Sequence, residues 1–285
     1  LEPNSYRITI KDTTVAKAEV QPGTVLAINP GQVFGELPGT VSRDPVFGLD
    51  AVWIDSSNHD QAQTYGYTVV DPSTVIATHM SQVLQDHAHE LLGHREVQEL
   101  LDRFSNSAPK VIEEVIPKII PLGVVVKVMQ NLLRENIPIR DVRTIIETLV
   151  ENAPRSQDPD VLSAAVRIAL GRLIMERIVG DDEEIPVITL DLSLEQLLQQ
   201  SLQTISDGSA AIEPGLTQKL MTSLKECVEK QEVNGQTAVL LVPNNLREMM
   251  VRLVRHGVSR LNVIAFSEVP ENKQIKIVAA VGGEQ

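Results

Sequence analysis

The sequence predicts an α+β fold of several subdomains, with a β-rich N-terminal part, a central all-helical subdomain and a C-terminal α/β subdomain. Short apolar or alternating runs separated by Gly/Pro turns occupy the first 71 residues. Apolar residues then recur at helical spacing to about residue 178, and beyond it strands alternate with helices. A chain of 285 residues can bury a core without a disulfide or a metal.

Four strands are predicted in the N-terminal part. Each run is rich in β-branched or aromatic residues, which favour strands; the runs are 6–10, 24–28, 51–54 and 67–70. Residues 35–39 and 44–48 are rich in Gly and Pro and predict turns between them.

The chain becomes helical at Asp71-Pro72, where an N-cap acceptor precedes a proline at the first helical position. A second pair of this kind, Asp158-Pro159, predicts one helix that continues through Ile174. The residues at 111–128 are apolar on most sides, which is typical of a buried helix pair. The other predicted helices lie at 96–104, 109–120, 122–135 and 141–151.

The last hundred residues follow an acidic loop at 181–184 and alternate between strands and helices. Ser193 and Gln196 stand in the register of a capping box. The last strands are continuous apolar runs, which predicts a sheet covered on both faces. The strands are expected at 187–190, 238–242, 261–266 and 275–281, and the helices at 193–205, 214–230 and 246–256, with a Gly-Ser loop at 207–210.

Charge and composition exclude several classes of function. The formal net charge is −13 and there is no basic cluster, which argues against nucleic acid and anionic lipid as partners. The single cysteine, Cys227, rules out an internal disulfide and fits a reducing compartment. No apolar run approaches the ~20 residues that span a bilayer, and no signal-peptide pattern is present. Because the chain starts at Leu1, we expect it to be a piece of a longer protein.

Three histidines around Glu90 are the strongest candidates for metal chemistry. A zinc-protease helix carries two His at i and i+4 so that both face one metal. Here the second His falls at i+5, and Gly93 takes the i+4 position. We interpret His87, His89 and His94 as surface and helix-end residues, and keep a zinc hydrolase as the alternative. No nucleophile elbow or P-loop occurs, so the sequence predicts no catalytic site, metal or cofactor.

One surface feature stays open at this point. Phe47, one of four Phe in the chain, lies on a Pro/Gly turn beside Asp44. The ring either packs into its own core or stands exposed as a recognition anchor, where an apolar contact supplies affinity and a neighbouring charge supplies direction.

Several motifs carry a resemblance that covers nearly the whole chain. They are DPxFGLxAVWI (44–54), GYTVV (66–70), VxQNLL (128–133), IRDxRTIxE (139–147) and VRxALGR (166–172). Together they resemble the cytoplasmic part of the export-gate family of type III secretion. The DPxFG segment and the VPENKQI segment at 269–275 resemble the flagellar members, with the virulence-secretion gates as the alternative.

The resemblance implies a non-enzymatic docking platform on the cytoplasmic face of the bacterial inner membrane. Its expected partners are flagellar export chaperones with filament-type substrates, other components of the export apparatus, and copies of itself in a nine-membered ring. It would take part in the switch of substrate specificity. It also implies four subdomains: 1–22 plus 72–91, an inserted 23–71, the helical 92–178 and the α/β 179–285. The membrane-spanning half of the family lies outside this sequence.

The resemblance also places a chaperone-docking surface between the first two subdomains. Asp44, Phe47 and Thr78 fall on its principal positions. Residues Ile28, Pro30 and Val70 are expected to line it. In this interpretation Phe47 is an exposed anchor, Asp44 bonds polar or basic groups of the chaperone, and Thr78 offers a hydroxyl. A ring-building scaffold without a docking site is a further alternative.

Overall fold

The computed structural model describes residues 3–105, 116–206, 214–255, 257–258 and 260–282. The predicted Gly-Ser loop at 207–210 lies outside these residues. So does most of the helix predicted at 109–120, whose described end is a turn. The predicted α+β class is confirmed.

The chain divides into two compact units. Unit 1 comprises Leu1–Pro109 and Leu122–Arg140, and unit 2 comprises Lys110–Pro121 and Asp141–Gln285. This division differs in scale from the four subdomains implied by the resemblance, which remain a prediction. Among the residues that the structure describes, no helix is long and apolar enough to cross a bilayer.

Unit 1 contains a hairpin and a four-stranded antiparallel sheet with the strand order β4-β5-β3-β6. The strands are β1 (Ser5–Ile10), β2 (Thr13–Glu19), β3 (Thr24–Ile28), β4 (Thr40–Arg43), β5 (Asp50–Asp55) and β6 (Thr68–Val70). All four strands predicted in this part are confirmed. The pattern does not predict β2 and β4, because they are largely polar and exposed.

Helices cover both faces of this sheet. The helices of unit 1 are α1 (His59–Thr64), α2 (Pro72–Asp86), α3 (Ala88–Leu91), α4 (His94–Ser105) and α5 (Leu122–Arg134). Helix α2 begins as predicted, since the Asp71 carboxylate accepts the Thr74 N–H at 3.0 Å. Val75 of α2 packs on Leu26 and Trp53 on one face. On the other face, Ala62 of α1 joins Ala27 and Ile54.

The helical part of unit 2 contains α6 (Val142–Asn152), α7 (Pro159–Ala169) and α8 (Gly171–Val179). Asp158 caps α7 as predicted, accepting the Asp160 N–H at 2.9 Å. The prediction of a single helix from Asp158 through Ile174 is wrong, because α7 ends at Ala169 and α8 begins at Gly171, with Leu170 between the two helices. Gly171 approaches the 3-10 helix Phe266–Glu268 so closely that a Cβ would lie 2.4 Å from the Glu268 carbonyl oxygen.

The rest of unit 2 is a parallel sheet with the order β10-β7-β8-β9. Its strands are β7 (Glu184–Leu190), β8 (Val239–Val242), β9 (Asn262–Ala265) and β10 (Gln274–Val281), and its helices are α9 (Leu192–Ser206), α10 (Pro214–Val233) and α11 (Asn244–Val254). The prediction that both faces of the sheet are covered is wrong for β10. This strand lies at the edge of the sheet, and its Ile277 is 64% exposed. The predicted capping box is also wrong, because Asp191 caps α9 by accepting the Leu194 N–H at 2.9 Å.

A buried ion triad ties the helical part of unit 2 to its α/β part. The Arg167 guanidinium of α7 donates to both carboxylate oxygens of Glu268, at 2.8 and 2.6 Å. Arg247 of α11 approaches the same carboxylate, with Nε 3.3 Å from Oε1. All three side chains are buried. The triad therefore couples α7 to the 3-10 helix, which lies about a hundred residues later in the chain. Removal of one partner leaves an uncompensated charge in the interior.

We expect Glu268→Gln to lower the free energy of unfolding by about 3–5 kcal/mol, the usual cost of breaking a buried ion pair. Denaturant titration followed by far-UV circular dichroism measures it. Glu271→Gln, at an exposed position, is the control and should change stability by less than about 0.5 kcal/mol. Equal stability of the two variants would show that the triad contributes little.

Candidate functional site

The turn between β4 and β5 carries Phe47, and Asp44 fixes its conformation. The Phe47 N–H donates to Asp44 Oδ2 at 2.6 Å. The Asp44 backbone closes the same turn: its carbonyl accepts the Gly48 N–H and its N–H donates to the Leu49 carbonyl, both at 2.9 Å. Gly48 has φ +67°, which glycine adopts without strain. In this turn the Phe47 ring is 59% exposed.

Two of the expected lining residues lie on the sheet face that α2 covers. Val70 of β6 pairs with Leu26 of β3. Leu26 shares its face with Ile28, two positions along the strand. Ile28 and Val70 are half-buried and pack on the cluster that includes Val75. Pro30, just beyond the end of β3, is exposed. The apolar side chains at this end of the sheet therefore remain partly accessible.

Thr78 lies on the exposed side of α2. The buried residues of this helix are Val75, His79 and Val83, which recur at every fourth position. Thr78 directly precedes His79, so its side chain points about 100° around the helix from the buried stripe. It is exposed, and its hydroxyl is accessible to a partner.

Tyr6 and His79 form a polar pair between β1 and α2. Tyr6 Oη lies 2.7 Å from His79 Nδ1, and the two rings meet edge to face. His79 and Asp44 are 6% and 4% exposed. Burial raises the pKa of Tyr6, and the charge of nearby Asp44 raises it further. Burial lowers the pKa of His79, and the Asp44 charge opposes that shift.

The sequence analysis does not predict this pair. The spacing of His79, four residues from both Val75 and Val83, is the signal that predicts its burial. No comparable local signal marks Tyr6, which lies more than seventy residues away in the chain.

All six expected docking residues lie in unit 1. The structure places Asp44 and Phe47 in one turn, and Ile28 and Val70 on one face. Thr78 lies on α2, directly before the buried His79. The Asp44 carboxylate is buried and bonded within its own turn, a different environment from the exposed one that contact with a chaperone requires. The exposed groups, an aromatic ring, aliphatic edges and a hydroxyl, are suited to non-covalent binding.

Two histidines of the alternative zinc site, His87 and His89, lie in different surroundings. His87 Nδ1 lies 2.7 Å from Glu90 Oε1. His89 Nδ1 is buried without a hydrogen bond, and burial, reinforced by the charge of Arg134, lowers the pKa of His89. Within the described parts of the chain, no three His, Cys, Asp or Glu side chains are grouped to hold a metal ion. The zinc-hydrolase alternative based on His87, His89 and His94 therefore has no supporting geometry there.

Comparison with known proteins gives consistent matches. A model described as the FHIPEP family matches residues 1–274. The chain is 44% identical over 284 residues to the flagellar biosynthesis protein FlhA of Escherichia coli (strain K12), which covers 100% of this chain and 40% of that protein. The Chlamydia pneumoniae CdsV structure has a TM-score of 0.79 at 22% identity, over 99% of this chain and 82% of that one. The cryo-EM structure of nonameric EPEC SctV-C has a TM-score of 0.76 at 22% identity, over 98% and 84%.

We expect the free energy of unfolding to fall as the pH is lowered from about 7.5 to about 5.5, around the ordinary histidine pKa of about 6.5. Burial lowers the pKa of both His79 and His89 in the folded chain. The unfolded chain therefore binds protons more readily in this window, and acid favours it. Denaturant titrations at several pH values measure the slope.

The double variant His79→Asn/His89→Asn should flatten this dependence. His59→Asn, which changes a more exposed histidine, is the matched control and should keep the slope of the parent. A parent stability that is constant or rises on acidification would contradict the assignment.

Proposed function

The chain belongs to the FHIPEP family, and we propose that it is the cytoplasmic docking platform of a bacterial flagellar type III protein export apparatus. In this role it binds export chaperones that carry filament-type substrates and takes part in the switch of substrate specificity, without enzymatic activity. The chain spans about 40% of the length of its E. coli relative, so these roles concern one part of a longer protein. The identity of 44% to a flagellar relative favours the flagellar role over the virulence-secretion one.

One observation carries the proposal: an aromatic ring is held exposed on a turn that is closed by hydrogen bonds. An aromatic anchor that enters a pocket of a partner is a common source of binding energy. The Phe47 turn is already fixed by Asp44, so little conformational entropy is lost when the ring is buried. The half-buried Ile28 and Val70 extend the apolar contact, and the Thr78 hydroxyl adds a directional one.

The geometry also suggests a different role for Asp44 from the one expected by resemblance. A carboxylate that is 4% exposed and accepts the Phe47 N–H has limited access to a chaperone. We propose that its main task is to hold the turn. The affinity then comes from the ring and its apolar neighbours, and the polar contact comes from Thr78.

We further propose that this part of the protein lies on the cytoplasmic face of the inner membrane, contacts other components of the export apparatus, and joins a nine-membered ring in the full-length protein. Support for the ring comes from the likeness in fold to SctV-C, whose structure is nonameric. A scaffold without a docking site remains the competing proposal. It predicts that variants on the Phe47 turn leave chaperone binding unchanged.

We expect Phe47→Ala to weaken binding of a flagellar export chaperone loaded with its filament-type substrate by at least about 1–2 kcal/mol, or roughly tenfold, because truncation removes the anchor. Isothermal titration calorimetry with the purified complex measures it. The matched control is Phe266→Ala, which removes a ring that is 50% exposed in unit 2.

The control variant should bind like the parent. If the parent shows no binding, the docking function itself fails. If Phe47→Ala binds as tightly as the parent, the docking surface lies elsewhere.

A further inference from the structure

Strand β10 forms one edge of the parallel sheet in unit 2. Within the part of the chain that the structure describes, β7 is its only strand partner. The Gln274 N–H donates to the Glu183 carbonyl at 2.8 Å, so the backbone of Gln274 points towards β7. Because successive residues of a strand alternate in direction, the N–H and C=O groups of Ile275 and Ile277 point away from β7. The edge therefore presents backbone donors and acceptors to a further strand.

The side chains along this edge are apolar and uncovered. Ile275, Ile277 and Val278 are all exposed. Ile275 and Ile277 pair with Ile185 and Val187 of β7, which are completely buried. Paired residues of neighbouring strands lie on the same face of a sheet, so this face is apolar from the interior out to the edge. An exposed apolar edge strand is a template for pairing with another chain.

Two features that oppose pairing at an edge have a limited effect on β10. The charge of an edge lysine usually discourages an added strand. Here Lys276 Nζ lies 3.0 Å from Glu184 Oε2 on β7, so its charge is paired within the sheet. The register with β7 shifts between Ile277 and Ala279, and such a bulge bends and twists a strand. Regular pairing is thus confined to residues 274–277, which fits a short partner segment.

An excess of negative charge lies at the start of β10. Residues 181–183 are acidic and exposed, and the bond from Gln274 to Glu183 places them beside the first residue of the strand. Lys273 opposes them with one positive charge, since its Nζ donates to the carbonyl oxygens of Gly180 and Asp182. A partner of positive charge is therefore favoured. A second copy of this chain, with its net charge of −13, would bring the same acidic residues and is disfavoured.

We propose that the outer edge of β10 binds a short extended segment of a partner protein, which adds to the sheet as a further strand. The backbone of Ile275 and Ile277 would supply the hydrogen bonds, which only an extended chain can satisfy in register. The segment would carry apolar residues at alternate positions, facing the exposed isoleucines, and Lys or Arg at the end that lies near residues 181–183. This site lies in unit 2 and goes beyond the chaperone docking proposed for the Phe47 turn, on which it does not depend.

The probe is a pool of synthetic peptides of about eight residues, with apolar residues at alternate positions and two lysines at one end. Amide hydrogen exchange followed by NMR measures the backbone bonds directly. We expect the amides of Ile275 and Ile277 to exchange rapidly in the free protein and at least roughly fivefold more slowly with the peptides, the equivalent of one hydrogen bond. The Lys276 amide, which points towards β7, should be protected in both states. Peptides with proline at every second position lack the necessary N–H groups and should give no protection.

Variants of the edge test the site itself. Ile277→Lys adds an unpaired charge to the edge, and Ile277→Pro removes an N–H that points out of the sheet, a position at which proline is tolerated. Each should weaken peptide binding by roughly fivefold or more. Ile277→Lys tests the proposal even if Ile277→Pro folds poorly. The matched control is Val161→Lys, at an exposed apolar position on α7, which should bind like the parent.

The acidic residues are tested by the double variant Asp182→Asn/Glu183→Gln. It should bind the lysine peptides more weakly than the parent and with a smaller dependence on salt, because salt screens exposed charges. Peptides with glutamate in place of lysine should bind more weakly than the lysine peptides. Equal binding of the two kinds of peptide would overturn the assignment of a basic partner.

Two results would overturn the proposal as a whole. One is that no peptide of the pool protects Ile275 and Ile277. The other is that these amides become protected without peptide as the protein concentration rises, which would assign the edge to a second copy of the chain. Chaperone binding separates this proposal from the docking function: Ile277→Lys should leave it unchanged, whereas Phe47→Ala should weaken it.

Discussion

The hydrogen bond from the Phe47 N–H to the buried Asp44 carboxylate is the constraint on which the docking surface depends. A carboxylate removed from water costs several kcal/mol unless it is paired or hydrogen-bonded, and a bond to an ionised acceptor is about twice as strong as one between neutral groups. At 2.6 Å the bond ties the position of this charge to the shape of the turn. A change in the turn would leave the carboxylate buried without its donor.

Each unit of the chain contains a buried carboxylate with hydrogen-bond partners. In unit 2, Glu268 receives Arg167 and approaches Arg247, which fixes α7 against the 3-10 helix and α11. In unit 1, the buried Asp44 carboxylate accepts the Phe47 N–H within its own turn.

The sequence predicts those elements whose structure is determined by residues close together in the chain. Asp71-Pro72 marks the start of α2 because the cap and the proline act within one turn, and apolar runs mark β3 and β5. The sequence does not predict those features that depend on contacts between residues far apart in the chain. The break at Leu170 depends on the close approach of Glu268, and the exposure of Ile277 depends on the place of β10 at the sheet edge. Four of the six expected docking residues lie in one turn or on one face, but the position of Asp44 on a Pro/Gly turn does not predict its burial.

Phe47 is exposed on a turn whose backbone is fixed by hydrogen bonds. Burial of apolar surface contributes about 25 cal/mol per Å², so Phe47, which is 59% exposed, adds only part of this stabilisation to the free protein. The bond to Asp44 and the backbone bonds at Gly48 and Leu49 fix the backbone of the turn and so keep Phe47 at the surface. The rest of this stabilisation is gained when a partner buries the ring. A surface built in this way stabilises a complex through burial of apolar area, which requires a shaped partner and no bond-breaking chemistry.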